Sequence, residues 1–480
     1  MIDTSMQNYK SSSRNLQYTL SKTMPLDIVG STEFGRYSKI STEQTFNMII
    51  SDEALISFDG YKSVTQLTSS GLGREIYTSY RYQHMIVVID DGVYTIDSTI
   101  KLVKIGTLAT SVGNVFISEN LGGQIAITDG LNVYIFNYIN STFQTIKVDF
   151  LPGVITFQDT YFICADLRSN QWRLSGNNDG TQWPAGAANV GELQTKATNT
   201  VACITLDRQL YVFGQTVTEL WQDIGYTLFP YQRNNYMSID YGCLSPETIS
   251  SAFGKLVWLG TNEKSGVSLM YTQGGAPTRI SNDGLDYIFT NLKNPSDSFG
   301  FLFRSNGHVF YQLTFRTDNL TYLFDFETNR FFTLTDNKEN HHIAKRIAFF
   351  NNTYYFISFD DSKLYQMSPD FYDYDGKEIP RFRICKNFRI PTGDNFIIQN
   401  LHITMESGYS RLPQVIDLSM SRDGGQSYQN IERYTLNTLG ARQNTVNFYR
   451  IGMYNDCVPK FAFWGFERFV IIDGQVRVYT

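Results

Sequence analysis

The sequence predicts an all-β protein built around an irregular β-propeller, and three observations lead to this prediction. Aromatic residues are abundant, with 35 Phe and 31 Tyr, whereas only 18% of residues are charged. Rings and β-branched side chains suit a half-buried pleated surface. Short apolar runs also meet at turns that contain Gly or Asp, which indicates antiparallel hairpins. Finally, these hairpins recur at intervals of about 40 to 50 residues, as propeller blades do.

The hairpins follow one another from Asn47 onward. The clearest span residues 85–96, 124–136, 210–221, 255–271 and 354–367. One blade cannot bury both of its faces alone, so repeated blades must close into a ring. We therefore predict roughly six or seven blades over residues 46–370. A segment near 174–193, rich in Gly and Pro, interrupts the period and is predicted to be a loop inserted in one blade.

The two ends of the chain differ from the repeats. Residues 1–45 are polar and without period, so we predict an extended N-terminal arm that lies on another structure. After residue 371 the apolar runs become longer and differently spaced, which predicts a C-terminal β-sandwich of about 100 residues over 371–480. No amphipathic helix of convincing length is visible.

Charge and hydropathy exclude several classes of function. The formal net charge is −6 and the basic residues are scattered, so the electrostatic footprint of a nucleic-acid-binding protein is missing. No apolar run approaches the roughly 20 residues that a membrane span needs. The first residues also lack the apolar centre of a signal peptide. These features predict a soluble product of the cytoplasm without a membrane span.

Metal and cofactor sites are not predicted. The cysteines are widely spaced, odd in number and without a CxxC pair, which indicates isolated buried thiols; they are Cys164, Cys203, Cys243, Cys385 and Cys457. The neighbours His341 and His342 would face opposite ways in a strand. The acidic residues between Asp360 and Asp375 lack the Glu that completes an EF-hand loop. We predict no catalytic residue, no cofactor and no metal.

One local motif matches a known pattern. Residues 421–428 fit the Asp-box, S-x-D-x-G-x-S/T-aromatic, which occurs in sialidases and related propellers. Asp423 and Gly425 would shape its hairpin turn and Tyr428 would pack into the sheet, so its role is structural. A glycan-binding or glycan-cleaving, sialidase-like propeller remains the alternative function. Such an enzyme also needs an arginine cluster and a Tyr or an acid for its chemistry.

The central stretch 206–281 supplies the other residues to which we assign a structural role. Gly214 stands between two apolar runs, and Glu219 and Trp221 follow in the second run. Trp258 and Gly260 repeat the pattern in the next hairpin. We predict that these residues set the geometry of two central blades.

The same stretch carries a resemblance to a known family. The motifs are Tyr211-Val212-Phe213-Gly214, Thr218-Glu219-Leu220-Trp221, Trp258-Leu259-Gly260 and Pro277-Thr278-Arg279-Ile280-Ser281. In this order and spacing the chain resembles, over most of its length, the packaged-DNA stabilisation proteins of short-tailed bacteriophages, which are tail accessory or hub proteins. Asp59 departs from the family pattern, which has Pro there, and Phe331-Phe332 stands where the family has Trp.

The resemblance implies a mechanical function in the virion tail. It implies a homo-oligomeric ring, a hexamer, attached below the portal or its adaptor ring after assembly in the bacterial host cytoplasm. The ring would close or extend the channel, retain the packaged genome and carry a distal needle, nozzle or fibres. Double-stranded DNA would pass without sequence recognition. The protein would not be an enzyme.

Overall fold

The computed structural model describes residues 21–37, 43–406, 411–436 and 445–479. Antiparallel sheets dominate these residues, so the predicted all-β class and the propeller are confirmed. Residues 1–20 and 38–42 of the predicted arm lie outside the described residues. No helix in the described ranges has the length and apolar character needed to cross a membrane.

Six successive sheets, blades A to F, form most of the propeller. Blade A contains Gly73–Ser79, His84–Ile89, Gly92–Ile96 and Leu102–Thr107. Blade B contains Phe116–Glu119, Gln124–Thr128, Val133–Asn137 and Thr142–Ile146. Blade C contains Pro152–Gln158, Tyr161–Asp166, Gln171–Leu174 and Val190–Glu192. Blade D contains Thr200–Leu206, Gln209–Gly214, Thr218–Asp223 and Tyr231–Ile239. In each of these four blades the strands pair antiparallel in chain order.

Blades E and F continue the series with small irregularities. Blade E divides its innermost position between two short strands; its members are Gly242–Cys243, Ser250–Ala252, Lys255–Asn262, Gly266–Thr272 and Thr278–Arg279. Blade F contains Ser298–Ser305, His308–Phe315, Leu320–Asp325 and Arg330–Thr333. The segment 174–193 connects the third strand of blade C to its fourth, with a 3-10 turn at Ala187–Asn189. Further 3-10 turns occupy Pro246–Thr248 and Pro295–Asp297.

Blade G closes the ring with a strand from before blade A. Ala344–Phe350, Thr353–Ser358 and Lys363–Ser368 supply its first three strands. Gly60–Gln66 pairs antiparallel with Lys363–Ser368 and supplies the fourth. The short strands Asp373–Tyr374 and Lys377–Glu378 extend this sheet. The described residues thus form seven blades, at the upper end of the predicted count.

A short α-helix, Asp283–Thr290, lies between blades E and F. The Asn282 side chain caps it by accepting a hydrogen bond from the Leu285 backbone N–H, as N-cap residues do. Leu285 and Phe289 are buried on its inner side. Two helical turns are too short to produce a clear period in sequence, which is why the pattern did not predict this helix.

The remaining strands form two sheets next to blade F. The first contains Ser21–Pro25, Met48–Ser51, Ala54–Ser57, Phe396–Met405, Thr445–Tyr454 and Val470–Tyr479. The second contains Gln44–Phe46, Arg381–Ile384, Phe388–Arg389, Val415–Ser421, Gln429–Thr435 and Asp456–Trp464. Gln44–Phe46 pairs parallel with Arg330–Thr333, so the second sheet continues blade F.

Strand pairing crosses the predicted domain boundaries. Gln44–Phe46 pairs with Arg381–Ile384, and Ser21–Pro25 pairs with Val470–Tyr479. One cluster of buried side chains joins these sheets to blades F and G. The division into 1–45, 46–370 and 371–480 stays a prediction. Both ends of the chain contribute strands to the two sheets next to blade F, which we name the sandwich region.

Asn47 connects the propeller to the sandwich region. It is fully buried and has a positive φ of 53°. Its side-chain amide donates to Thr335 Oγ1 at 2.7 Å and to the Pro380 carbonyl at 2.8 Å. Its Oδ1 accepts from the Thr335 N–H at 2.8 Å and from the Tyr374 hydroxyl at 3.3 Å. Asn tolerates this left-handed conformation better than most residues do, so one residue satisfies both the backbone turn and the buried polar groups.

Arg383 holds the part of the chain that leads into the strand Gln44–Phe46. It is fully buried, and its guanidinium donates to the carbonyls of Ile28 at 2.9 Å and Ser31 at 3.0 Å. It also forms an ion pair with Glu43. A buried guanidinium is tolerated only when its donors are satisfied. The chain on both sides of the undescribed residues 38–42 is thereby held on one side chain.

Two side chains occupy the outer edge of the strand Thr445–Tyr454, which ends its sheet. Glu432 Oε2 accepts a hydrogen bond from the Tyr449 backbone N–H at 3.2 Å. Arg422 Nη1 donates to the Met453 carbonyl at 2.7 Å. Backbone groups at an edge are otherwise available to another strand. Part of this edge is therefore already engaged within the chain.

We predict that Asn47→Ala lowers the free energy of unfolding by about 2 to 4 kcal/mol, because buried partners of its amide lose their hydrogen bonds. Denaturant unfolding followed by fluorescence measures the change. Asn306→Ala is the matched control, since Asn306 also has positive φ, 49°, but is exposed in a hairpin turn; its expected cost is about 1 kcal/mol. Equal losses in both variants would contradict the role of the Asn47 side chain.

Candidate functional site

The innermost strands of all seven blades surround a central channel. It contains a cavity of about 320 Å³ that side chains of every blade line. Apolar walls come from residues such as Phe116, Val154 and Ile204. A DNA duplex, whose major groove alone is about 12 Å wide, does not fit in such a volume. The channel of a single propeller is therefore no passage for duplex DNA.

A buried ion pair joins the neighbouring blades A and G at the wall of the channel. Arg346 Nε donates to Glu75 Oε2 at 3.2 Å, and Arg346 Nη1 donates to the Gly300 carbonyl at 2.6 Å. Burial raises the pKa of Glu75, and the Arg346 charge opposes this shift. Next to it, Lys345 Nζ lies 3.3 Å from Glu247 Oε1. These opposite charges balance one another, so the channel offers no net charge for a phosphate.

Glu219, one of the residues predicted to be structural, accepts several hydrogen bonds in blade D. Its carboxylate is 1% exposed. Oε1 accepts from the backbone N–H groups of Gln194 at 2.8 Å and Thr195 at 2.6 Å, and from the Thr195 hydroxyl at 2.7 Å. Oε2 accepts from Trp221 Nε1 at 3.2 Å. Arg233 Nη1 lies 3.4 Å away and compensates the charge. Glu219 thus ties the chain that leaves blade C to the third strand of blade D.

The other predicted residues of blades D and E are packing positions. A Cβ on Gly214 would lie 2.5 Å from Thr198 Cγ2, and one on Gly260 would lie 2.7 Å from Met270 Cγ. Trp258 is fully buried and donates from Nε1 to the Gly242 carbonyl at 3.1 Å. Close packing leaves no room for a larger residue at either glycine without movement of a neighbour.

The Asp-box residues form a turn in the sandwich region, on a different sheet from Glu219 and Trp258. Asp423 accepts from the Ser421 hydroxyl at 2.6 Å and from the Ser427 N–H at 2.9 Å. Hydrogen bonds from Ser421 and Ser427 hold the pKa of Asp423 well below its usual range. The Gly425 N–H donates to Ser421 Oγ at 2.8 Å. Burial raises the pKa of Tyr428 to about 12. Asp423 is engaged in the turn itself, not in a cleft.

Cysteine and histidine side chains provide no reactive cluster in the residues that the structure describes. All five cysteines are buried and free. Burial raises the pKa of Cys243 to about 12, so this thiol stays protonated at neutral pH. His342 is fully buried, and burial lowers its pKa to about 3. Within the described ranges no group of three His, Cys, Asp or Glu side chains could hold a metal ion.

Sequence reasoning missed a polar chain between the sandwich region and blade F. His308 Nδ1 lies 2.8 Å from Asp325 Oδ2, and His308 Nε2 lies 3.2 Å from Ser51 Oγ. Asp325 also accepts from the Glu327 N–H and the Thr328 hydroxyl. Serine hydrolases use the same order of groups, but they also need an oxyanion hole and a substrate cleft. We assign a structural role to this row of hydrogen-bonded side chains, because it joins the hairpin 48–57 to blade F.

Asp59 is another buried polar residue near the contact between the sandwich region and blade F. It is 2% exposed, and its Oδ2 accepts from the Ser305 hydroxyl at 2.6 Å. Among the described residues its Oδ1 has no hydrogen-bond partner. Burial raises the pKa of Asp59 to about 6, and the charge of Asp370 adds to the shift.

Together the fold and these interactions define a seven-bladed β-propeller in which Asn47, Glu219, Asp325 and Arg383 make buried structural contacts. The family model described as bacteriophage P22 Gp10, beta-propeller, matches residues 39–372. The chain belongs to this family of phage stabilisation proteins. It is accordingly a phage structural protein of the kind that stabilises packaged DNA, and its family indicates a place in the virion.

Solved structures with a similar arrangement are distant. Virginiamycin B lyase from Staphylococcus aureus, an inactive variant with quinupristin, is 12% identical; the match covers 65% of this chain and 99% of that one, with a TM-score of 0.45. The N-terminal domain of Nup159 is 9% identical over 68% of this chain and 99% of that one, with a TM-score of 0.41. No curated protein matched the sequence. At such distances the likenesses carry no argument about function.

We predict that Asp59→Asn stabilises the protein most at neutral pH. Because the pKa of Asp59 is raised in the folded protein, the protonated side chain contributes stability. This contribution is fully present below pH 3.8 and is lost as the pH rises through about 6. A shift of this size corresponds to at most about 3 kcal/mol. The difference in unfolding free energy between variant and wild type, measured from pH 4 to 8, should grow with pH and level off above 7. The exposed Asp91→Asn is the control; a difference for Asp59→Asn that is flat with pH would refute the prediction.

We predict that Glu219→Ala lowers the unfolding free energy by about 3 kcal/mol, since buried donors lose their acceptor. Glu219→Gln keeps one acceptor oxygen and should lose less. Glu192→Ala, on the exposed outer strand of blade C, is the control, with an expected loss under about 0.5 kcal/mol. Chemical denaturation at pH 7 measures all three. A loss for Glu219→Ala as small as that of the control would show that the cluster contributes little.

Proposed function

We propose that the protein is a ring-forming hub of the phage tail. Several copies, six by the family resemblance, would surround the DNA path below the portal or its adaptor ring. The ring would close or extend the channel after packaging and hold the genome in place. It would also carry distal parts such as a needle, nozzle or fibres.

The propeller channel is too narrow for duplex DNA, and this observation supports a ring of several copies. A cavity of about 320 Å³, which the Glu75–Arg346 pair helps to line, does not admit a duplex. A protein that retains DNA on a conduit must then border the DNA with its outer surface. A ring of copies achieves this, because it encloses a path that no single chain contains.

The charge of the chain supports a sliding contact with DNA. The net charge is −6, and the charged groups in and beside the channel are paired with opposite charges. Each phosphate that a basic side chain neutralises adds salt-dependent affinity. An acidic lining would let the polyanion pass without adhesion. Retention would then be mechanical.

The shared core supports a role in which the protein resists mechanical force. Buried side chains of blades F and G belong to the same cluster as those of the sandwich region. Asn47 and Arg383 add buried hydrogen bonds between distant segments. Close-packed interiors transmit strain and deform little. The two parts would therefore move as one body under the pressure of the packaged genome.

A glycan-binding or glycan-cleaving role remains the competing hypothesis from the sequence. In the described residues Asp423 gives it no support, because its carboxylate is engaged by the turn that contains it. Assays with fluorogenic glycosides and glycan arrays would test this role directly. Binding that is lost on mutation of exposed aromatic residues would favour it over the hub.

We predict that electron microscopy of intact particles shows a ring of this protein on the tail axis, with DNA density enclosed by the ring and absent from the propeller channels. The comparison is with particles from a phage that lacks the gene, which should lose their packaged DNA. A protein missing from the tail, or DNA threaded through a propeller, would refute the hub.

We also predict that the undescribed residues 1–20 contact a neighbouring copy, so that their deletion lowers ring assembly at least about tenfold, which corresponds to about 1.4 kcal/mol. Residues 21–37 are retained in this variant because Leu26 and Ile28 are buried. Thermal unfolding of the variant should match that of the full chain. Normal assembly of the shortened chain would contradict the predicted contact.

A further inference from the structure

Three adjoining cavities run outward from the propeller axis at the end of the propeller where the first strands of blades A, E, F and G end. Their volumes are about 320, 450 and 350 Å³. The channel cavity and the 450 Å³ cavity share Ala252, Leu302 and Ile347 in their walls. The 450 and 350 Å³ cavities share Tyr80 and Phe349. We name the two outer cavities together the groove; it opens between blades A and G and leads to the channel.

The walls of the groove are mainly aromatic. Tyr80 and Phe253 are 69% and 48% exposed, and Phe349 and Tyr354 complete the larger cavity. Binding sites in proteins commonly have volumes of about 300 to 1,000 Å³ and mostly apolar walls. Exposed apolar side chains that are grouped around such a recess indicate contact with another molecule. The elongated shape of the groove suits an extended peptide segment.

One cation lies among these apolar walls. Arg304 is the one charged residue that lines the two cavities of the groove, and it is exposed. Its backbone N–H donates to the Tyr354 hydroxyl at 3.0 Å. Its side chain forms no ion pair with another described residue. The groove therefore favours a segment that carries one carboxylate between apolar side chains.

The first residues of the segment 1–20 have this composition. Asp3 is the one acidic residue of the segment, and the apolar residues Ile2 and Met6 stand on either side of it. Methionine fills irregular apolar cavities well, because its side chain is unbranched and polarizable. The basic residues of the segment come later in the sequence, so they do not bring positive charge to Arg304.

The length of the segment and the place where it joins the structure allow this contact. Ser21–Pro25 pairs with Val470–Tyr479 in the sandwich region, and the sandwich region contacts blade F, where His308 Nε2 lies 3.2 Å from Ser51 Oγ. A strand of ten residues such as Val470–Tyr479 is about 34 Å long. Twenty extended residues span up to about 70 Å, so the segment 1–20 can reach past its own sheet to an adjacent copy.

We propose that residues 1–6 of one copy occupy the groove of a neighbouring copy, with Ile2 and Met6 against its aromatic walls and Asp3 beside Arg304. The inference rests on the ring proposed above and names the surface on which the segment 1–20 binds. A contact made through a terminal segment does not fix the angle between two copies. The same contact can therefore repeat around a closed ring.

Cross-linking in assembled particles tests this site. Ser5→Cys places a thiol in the segment, and Ser98→Cys places one at the edge of the groove. The native cysteines are buried, so a short bismaleimide should react with the introduced thiols. A chain with both substitutions should give a ladder of cross-linked chains, and either substitution alone should give none. Ser5→Cys with Val112→Cys is the matched control without a ladder, because Val112 is exposed in the connection from blade A to blade B, at the opposite end of the blades.

Exchange of the two charges gives an independent measurement. Asp3→Lys places a second cation beside Arg304, and Arg304→Asp places a second carboxylate beside Asp3. Each should lower the number of copies bound per particle about threefold to tenfold, because an attraction becomes a repulsion. The chain with both substitutions should recover most of the loss, and thermal unfolding should be the same in all variants. Equal losses in the single and double variants would contradict the contact between Asp3 and Arg304.

Removal of the apolar side chains tests the other half of the contact. Ile2→Asn with Met6→Asn should lower the number of copies bound per particle at least about tenfold, because the groove walls lose their apolar partners. Tyr9→Asn is the matched control, since it changes the same segment outside residues 1–6, and it should leave the number unchanged. Equal numbers for the Ile2→Asn, Met6→Asn chain and the control would count against residues 1–6 as the occupant.

The outcomes separate this site from the hub itself. Particles that contain a ring but give no ladder would overturn the site and leave the hub intact. The same holds for a cross-linked product with the mass of one chain, which would show that the segment occupies the groove of its own copy. A product that joins the Ser98→Cys chain to a different virion protein would also overturn the site. Particles without any ring would overturn the hub and this site together.

Discussion

The structure depends on one exchange of strands, in which Gly60–Gln66 completes the blade that Lys363–Ser368 leaves open. Gln66 Nε2 donates to Ser362 Oγ, 296 residues later in the chain, and so secures the same closure. Without the strand Gly60–Gln66, blade G would lack its outer strand. Blade A would then expose the face that packs on blade G. The closure is non-local, so a propeller of this kind must pay a large entropy of loop closure before it gains the contact.

The sandwich region makes this closure more secure because it is built from both ends of the chain. Strands that precede the propeller pair with strands that follow it, and Asn47 stands where the two meet. A tear between first and last blades would therefore also have to separate these strands. For a protein under load, two closures that must be broken together resist opening better than either alone. This arrangement agrees with the role that we propose in holding packaged DNA.

Local patterns in the sequence predicted the blades but not how they are joined. The hairpins around 85–96 and 210–221 are confirmed because apolar alternation and turn residues are local signals. The partner of Gly60–Gln66 could not be predicted, because nothing in a strand's own sequence names a partner so distant. The same holds for the Glu75–Arg346 pair, whose members are 271 residues apart. Glu219 was singled out by its place in a motif, whereas its partners at 194 and 195 belong to an irregular segment without a pattern.

The edge of the strand Thr445–Tyr454 has a consequence for how the protein behaves in bulk. Open sheet edges at high concentration nucleate fibres. Glu432 and Arg422 occupy backbone groups that such growth would need. Edge-to-edge strand pairing between copies is thereby obstructed at this part of the edge, and contacts between copies there are left to side chains.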